Sequence, residues 1–198
     1  MNKPFSQACE NNKAPILETL NQYLSGSEQI LEVGSGTGQH AHYFANHLPE
    51  VSWQTSDLPA KHVGIKSWIK ECSFNNVQPP LTLDVSDPTQ WPKIQYDAVY
   101  TANTTHIMSW QEVTCLFKLT GSCLKSKGFL FCYGPFNLNG QFTSDSNERF
   151  DTSLRRQNPQ MGIRDLNDIQ QEAHINQLTL VQRHAMPANN MLLVFMRR

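Results

Sequence analysis

Chemistry-bearing residues recur in this chain where an apolar strand ends: the turn Gly34-Ser35-Gly36-Thr37-Gly38, the acids Glu32, Asp57 and Asp84, and the amide Asn103. Glycine removes the Cβ that would hold a ligand off the backbone, and a helix start beyond such a turn offers unpaired N–H groups. An ordinary strand-to-helix turn is the alternative. Here the apolar run Gln29-Ile30-Leu31-Glu32-Val33 precedes the triplet and a helical run over 39–48 follows it, which is the context a cofactor loop needs.

The spacing G-x-G-x-G carries Gln39 where a dinucleotide fingerprint wants its third glycine, and Glu32 two places before the first glycine. That pattern favours S-adenosylmethionine (SAM) over NAD. Asp57, with Leu58 beside it, can accept both ribose hydroxyls, and Asp84, with Val85, the adenine amino group. Glu32 and the Asn103 region face the methionine end. Its ammonium suits acids and carbonyls, and its carboxylate suits the N–H groups of Gly34, Ser35, Gly36 and Gly38. Singly, each acid could be a turn or a helix cap. Together, at successive strand ends, they point to one site.

Those strand ends need a scaffold. The 198 residues fit one α/β domain, 1–198, with no linker-like break. Apolar spacing predicts helices over 14–24, 39–48, 60–72, 110–124 and 166–175. Strands are expected over 29–33, 51–55, 81–85, 96–101 and 128–135, then a closing antiparallel pair over 178–184 and 191–196. Strands separated by helices imply a parallel sheet with right-handed crossovers. The polar stretch 137–165 is expected as a long loop, a lid or substrate-side insertion.

A net charge of −1 gives no global reason to bind nucleic acid or an anionic membrane. Five cysteines without a C-x-x-C pair make neither a disulfide framework nor a zinc site. His40 and His42 point roughly 200° apart on a helix and cannot share a metal. The opening residues Met1 to Ser6 lack the apolar core of a signal segment, so a soluble, cytoplasmic protein is expected.

Through Glu32-Val33-Gly34-Ser35-Gly36-Thr37-Gly38, Asp57, Asp84 and the closing strand pair, the chain resembles the class I SAM-dependent methyltransferases. That resemblance implies a Rossmann-like sandwich whose seven-stranded, mostly parallel sheet has the order 3-2-1-4-5-7-6. Within the superfamily the chain is most similar to an uncharacterised methyltransferase-like family catalogued as a domain of unknown function. The likeness rests on Asn12-Lys13, Gly36-Thr37-Gly38-Gln39-His40, Asn103 with His106-Ile107, and Tyr133-Gly134-Pro135-Phe136. It continues through Phe150-Asp151, Leu154-Arg155, Gly162-Ile163-Arg164-Asp165 and Met186-Pro187-Ala188-Asn189-Asn190. The family pattern has Arg before Asn12, where this chain has Asn11.

The resemblance implies methyl transfer from SAM, leaving S-adenosylhomocysteine (SAH). The sequence adds candidates for the acceptor side. His106 and Tyr133 stand beyond strands four and five, placed to orient or deprotonate an acceptor, with a merely structural histidine as the alternative. Asn12, His40, Arg155, Arg164 and Asn189 are the further substrate-side candidates. The arginines, Arg156 included, could bind an anionic acceptor or simply pair within a solvated loop. Asn103-Thr104-Thr105-His106 stands where base-methylating enzymes carry Asn/Asp-Pro-Pro-aromatic, so a small-molecule acceptor is expected over nucleic acid. A SAM-binding protein without catalysis and an NAD-dependent oxidoreductase are the competing readings.

Overall fold

The computed structural model describes residues 3–198; Met1 and Asn2, part of the segment read above as free of a signal, lie outside the described residues. In chain order the elements are α1 (Gln7–Leu20), β1 (Gln29–Val33), α2 (Gln39–His47), β2 (Ser52–Asp57), α3 (His62–Ile69), β3 (Val77–Thr82), β4 (Tyr96–Ala102), α4 (Trp110–Cys123) and β5 (Leu124–Gly134). There follow β6 (Phe136–Asn137), α5 (Asp145–Gln157), β7 (Arg164–Asp165), α6 (Leu166–Ile175), β8 (Leu178–Met186) and β9 (Asn190–Arg197).

Seven strands form one sheet in the order β3-β2-β1-β4-β5-β9-β8. The first five run parallel, and β9 is antiparallel to both β5 and β8. With β6 and β7 set aside as a separate pair, this is the expected 3-2-1-4-5-7-6 arrangement. β1 and β4 are buried along nearly their whole length, as parallel strands covered on both faces must be. One face packs Ile16 and Leu20 of α1 and Phe44 of α2 on Trp53, Tyr100 and Phe131. The other packs Val113, Leu116 and Phe117 of α4 and Ile169 of α6 on Leu31, Val99 and Phe195. The strand order reverses between β1 and β4, so their carboxyl ends open the crevice in which such sheets bind ligands.

Three expectations are corrected. The third strand is Val77–Thr82 and contains Pro79-Pro80, expected as a break; Asp84 and Val85 lie beyond its end. It is an edge strand, where a residue without an N–H loses no ladder bond on its free side. α1 begins at Gln7, a full two turns before the expected start, capped by the Ser6 hydroxyl accepting from Cys9 N at 3.3 Å. Finally, 137–165 is not one loop. It holds the 13-residue α5, capped by Ser144, and its two ends meet in the parallel pair β6–β7, with Phe136 opposite Arg164 and Asn137 opposite Asp165. α5 buries only Asn147, Asp151 and Leu154, and of these only Leu154 is apolar. Among the described residues no helix is long and apolar enough to cross a membrane.

Candidate functional site

The glycine turn leaves β1 at the switch point and enters α2. Gly38 has φ 92°, and a Cβ there would sit 2.9 Å from the Ile65 Cα, so glycine lets α2 and α3 approach. Gly36 has φ 58° and open space where its Cβ would be.

The turn is braced from within. Gly34 N and Ser35 N both donate to Ser56 O at 3.1 and 2.9 Å, and Gly38 N donates to Ser35 O at 2.9 Å. Gly36 N donates to Asp57 Oδ2 at 2.7 Å, and Leu58 N to Asp57 Oδ1 at 2.7 Å. The N–H groups expected to hold a cofactor carboxylate are therefore engaged by the chain itself. Asp57, half-buried, keeps further lone pairs on both oxygens. Ser56, which no sequence signal singled out, organises the turn, its hydroxyl donating to Glu32 O at 2.6 Å.

Glu32 is 2% exposed. Its Oε2 accepts from Ser35 Oγ at 2.8 Å and Trp53 Nε1 at 3.1 Å. Burial pushes its carboxyl up to about 7 and the Asp57 charge adds to the rise, while the Trp53 and Ser35 hydrogen bonds oppose it. A cation arriving beside Glu32 would favour its ionised form. Asp84 is half-buried beyond β3, with Oδ1 accepting from Ser86 N at 2.8 Å; Val85 is buried beside it and Leu58 is exposed. Asn103 turns the chain after β4 at φ 57°, a conformation asparagine tolerates, and its N–H donates to Tyr133 O at 2.9 Å.

Asn12, His40 and Tyr133 come together as one cluster with Tyr100. His40 Nε2 lies 2.7 Å from Asn12 Oδ1 and Nδ1 lies 3.1 Å from the Tyr100 hydroxyl. Burial drives the His40 pKa down to about 4, so the ring is neutral near pH 7. Burial raises the Tyr133 phenol, and hydrogen bonds from the side chains of Asn12 and Asn190 oppose that rise. Tyr100 reads as plain core in the sequence and Asn190 as hairpin; only the fold joins them to this cluster. Gln39, in the third-glycine position, fastens α1 over the turn, its Oε1 accepting from Ser6 N at 2.5 Å and its Nε2 donating to Glu10 at 2.7 Å.

His106 is 4% exposed, and its Nδ1 has no hydrogen-bond partner. Phe150 of α5 meets the ring edge-on at 5.2 Å. Burial, with the Arg164 cation adding to it, lowers the His106 pKa to about 4. The ring is thus a neutral hydrogen-bonding group and a weak base.

The arginines are committed to structure. Arg155 Nε donates to Asp151 at 2.7 Å. Arg164 donates to the carbonyls of Thr105 at 3.0 Å, Gln160 at 2.8 Å and Met108. Both line a surface hollow of about 560 Å³ that also carries Asp165, Asp168 and Glu172, a lining that does not single out an anion. Asn189 is exposed, and its Nδ2 and carbonyl hold Ser146 and Asn147 of α5 at 3.2 and 3.1 Å. Asn189 and the arginines thus brace α5 and the segment that carries it.

The chain belongs to the family described as "Protein of unknown function (DUF938)". The family model matches residues 3–197. Among solved structures, an O-methyltransferase family protein from Burkholderia thailandensis superposes with a TM-score of 0.81 at 14% identity, over 93% of this chain and 56% of that one. Human N-acetylserotonin methyltransferase, solved in complex with SAM, gives 0.79 at 12% identity, over 96% and 53%. CalO1, a methyltransferase in calicheamicin biosynthesis solved in an SAH-bound form, gives 0.75 at 10% identity, over 94% and 54%. The DUF938 chain spans little more than half the length of these proteins. At such identities the likeness establishes the fold, that of the class I methyltransferases.

Proposed function

We propose that the protein is a SAM-dependent methyltransferase acting on a small-molecule acceptor. The observation that carries the reading is the convergence of Glu32, the open cradle at Gly36, and Asp57 at the β1–β4 switch point. The residues fit the cofactor: an acid buried beside the turn for an ammonium, a carboxylate braced by Gly36 N and Leu58 N for the ribose, and Asp84 for the adenine amino group.

Bound SAM supplies an electrophilic methyl carbon already activated by the sulfonium, leaving the protein to align the acceptor. In this reading the crevice excludes water and holds the acceptor's lone pair in line with the methyl carbon. His106 presents a neutral ring nitrogen to fix the acceptor's hydrogen-bonding group. α5 and the rest of 137–165 wall the acceptor side, with Phe150 over His106.

A second reading is SAM binding without turnover, favoured by one observation: the histidine expected as base is a weak one. Calorimetric titration of SAM, SAH and NAD, with Asp57→Ala as control, tests the cofactor. Binding of SAM and SAH that weakens at least tenfold in the variant supports the proposal; binding of NAD alone overturns it. Methylation of compounds from a metabolite extract then separates enzyme from binding protein.

A further inference from the structure

Gly134, the last residue of β5, is a glycine that its own backbone does not demand. It is not among the positive-φ positions, and a Cβ there would clash with nothing. Beyond its chain neighbours, and among the described residues, the one atom within 4 Å of that Cβ is His106 Nδ1, at 3.6 Å. A strand glycine weakens its strand and often marks the close approach of a ligand or another backbone. No other backbone comes that close here. We propose that the space beside Gly134 seats an uncharged hydroxyl of the methyl acceptor, hydrogen-bonded to His106 Nδ1, so that the residue at 134 sets which acceptors fit. The inference rests on the acceptor-side reading of His106 above and adds to it the opening and the chemical class.

The main chain that carries His106 is tightly bonded. Thr104 O accepts from Ile107 N at 3.0 Å and Met108 N at 3.1 Å, Thr105 O from Arg164 Nε at 3.0 Å, and His106 O from Gly162 N at 2.9 Å. Two side-chain atoms on this fixed loop are left over. His106 Nδ1, on a residue 4% exposed, and Oγ1 of the adjacent Thr105, 1% exposed, have no partner among the described residues. Buried polar groups are normally paired, because an unpaired one is costly. Two on successive residues mark a place that a ligand completes.

The class of that ligand follows from charge. Reaching a group this deeply buried strips an ion of its water, which is costly without a counter-ion. The cation bonded into this loop, Arg164, is already given to the carbonyls of Thr105, Gln160 and Met108. A protonated amine would meet that cation and has no lone pair for the methyl carbon. A hydroxyl both donates and accepts, so it satisfies a neutral ring in either tautomer and keeps a lone pair for the methyl carbon. Phe150, 40% exposed, meets the His106 ring edge-on at 5.2 Å, so the body that carries the hydroxyl lies against aromatic carbon. α5, which bears Phe150, buries one apolar side chain, Leu154, and so moves aside at little cost to admit the group.

The test is nitrogen NMR of the histidine rings in the full chain, titrated with phenol, benzylamine and benzoate, which carry a hydroxyl, an ammonium and a carboxylate on an aromatic ring. The signals lost in His106→Asn assign that ring. Phenol should shift the His106 Nδ1 signal saturably in the wild type, while benzylamine and benzoate leave it in place. Gly134→Ala puts a methyl group where the hydroxyl sits and should weaken phenol about tenfold or more. Alanine suits a strand better than glycine, so this variant should unfold at no lower temperature than the wild type, and a lost phenol shift is then not a lost fold. No phenol shift in the wild type, an undiminished one in Gly134→Ala, or an equal one from benzylamine or benzoate overturns the proposal. A separate titration of SAH keeps the two readings apart. SAH binding without a phenol shift overturns the hydroxyl seat alone, whereas a phenol shift in a chain that binds neither SAM nor SAH overturns the methyltransferase reading and leaves the hydroxyl seat standing.

Discussion

The two sides of the crevice are built on opposite plans. On the β1–β2 side the polar groups are closed on one another: Glu32 with Ser35 and Trp53, Asp57 with Gly36 and Leu58, Ser56 with Gly34 and Ser35. On the β4–β5 side three buried polar atoms, Thr105 Oγ1, His106 Nδ1 and Asn137 Oδ1, have no partner. An unpaired buried polar atom costs about 1–3 kcal/mol, so native proteins keep few of them. The difference teaches that the chain closes its own polar groups unevenly. The β1–β2 side is braced within the chain; the β4–β5 side holds buried hydrogen-bonding capacity that the chain itself leaves unspent.

The sharpest break is at Gly38. Gly38→Val forces a β-branched side chain into φ 92° and against the Ile65 backbone, so we expect a loss of about 4 kcal/mol in urea unfolding. A loss below about 1 kcal/mol would show that the turn is less preformed than described.

Acid and base separate Glu32 from the buried histidines by sign. For His106, the unfolded chain takes up a proton near pH 6.5 and the native one only near pH 4. The unfolded state thus binds more protons in that window, and its contribution to stability is present above pH 6.5 and lost as pH falls toward 4, by about 1.4 kcal/mol per unit. His40 acts in the same sense. Glu32 is the reverse: its native carboxyl holds a proton to about 7 against 4.5 unfolded, so its contribution is present below 4.5 and lost as pH rises to 7. Unfolding measured from pH 4 to 7 should show the acid-side loss reduced in His106→Phe, by about 3 kcal/mol over the window. Glu32→Gln should lose the opposite slope, and so should SAH-bound wild type, because the ammonium keeps Glu32 ionised. Unchanged slopes in both variants would refute the contrast.

Arg164→Ala frees three carbonyls at the base of the proposed acceptor wall, with an expected cost of about 2 kcal/mol. SAH affinity should stay within twofold of wild type, and a larger fall would couple the two sides. Smallest is Phe150→Ala. At 40% exposure it should cost under about 1 kcal/mol while altering which acceptors are methylated. An unchanged acceptor profile would remove Phe150 from the site.

The unequal legibility of the molecule follows the same divide. Apolar runs and glycine spacing marked β1, β2, β4, the turn and the strand-end acids, because their placement depends on local pattern and parallel-sheet topology. α5 was hidden because its buried stripe, Asn147, Asp151 and Leu154, is mostly polar and does not stand out as an apolar run. The first half of α1 was hidden likewise, being held by Gln39 and a Ser6 cap rather than by an apolar face. Arg155 and Arg164 read equally well as anion ligands or loop braces; the choice depended on Asp151 and on carbonyls as distant in sequence as Thr105. The partner of His40, Asn12, lies 28 residues away on another helix, beyond any spacing rule.

The parallel pair β6–β7 joins the two ends of the 26 residues between them, 138–163, at a single point on the rim of the sheet. Lengthening or exchanging a segment closed in this way changes its closure entropy only slowly, by about 0.6 kcal/mol for each doubling of length. If the proposed acceptor wall lies here, the segment is a cassette: another sequence grafted between Asn137 and Arg164 would change acceptor preference and leave the β1–β2 half of the crevice unaltered.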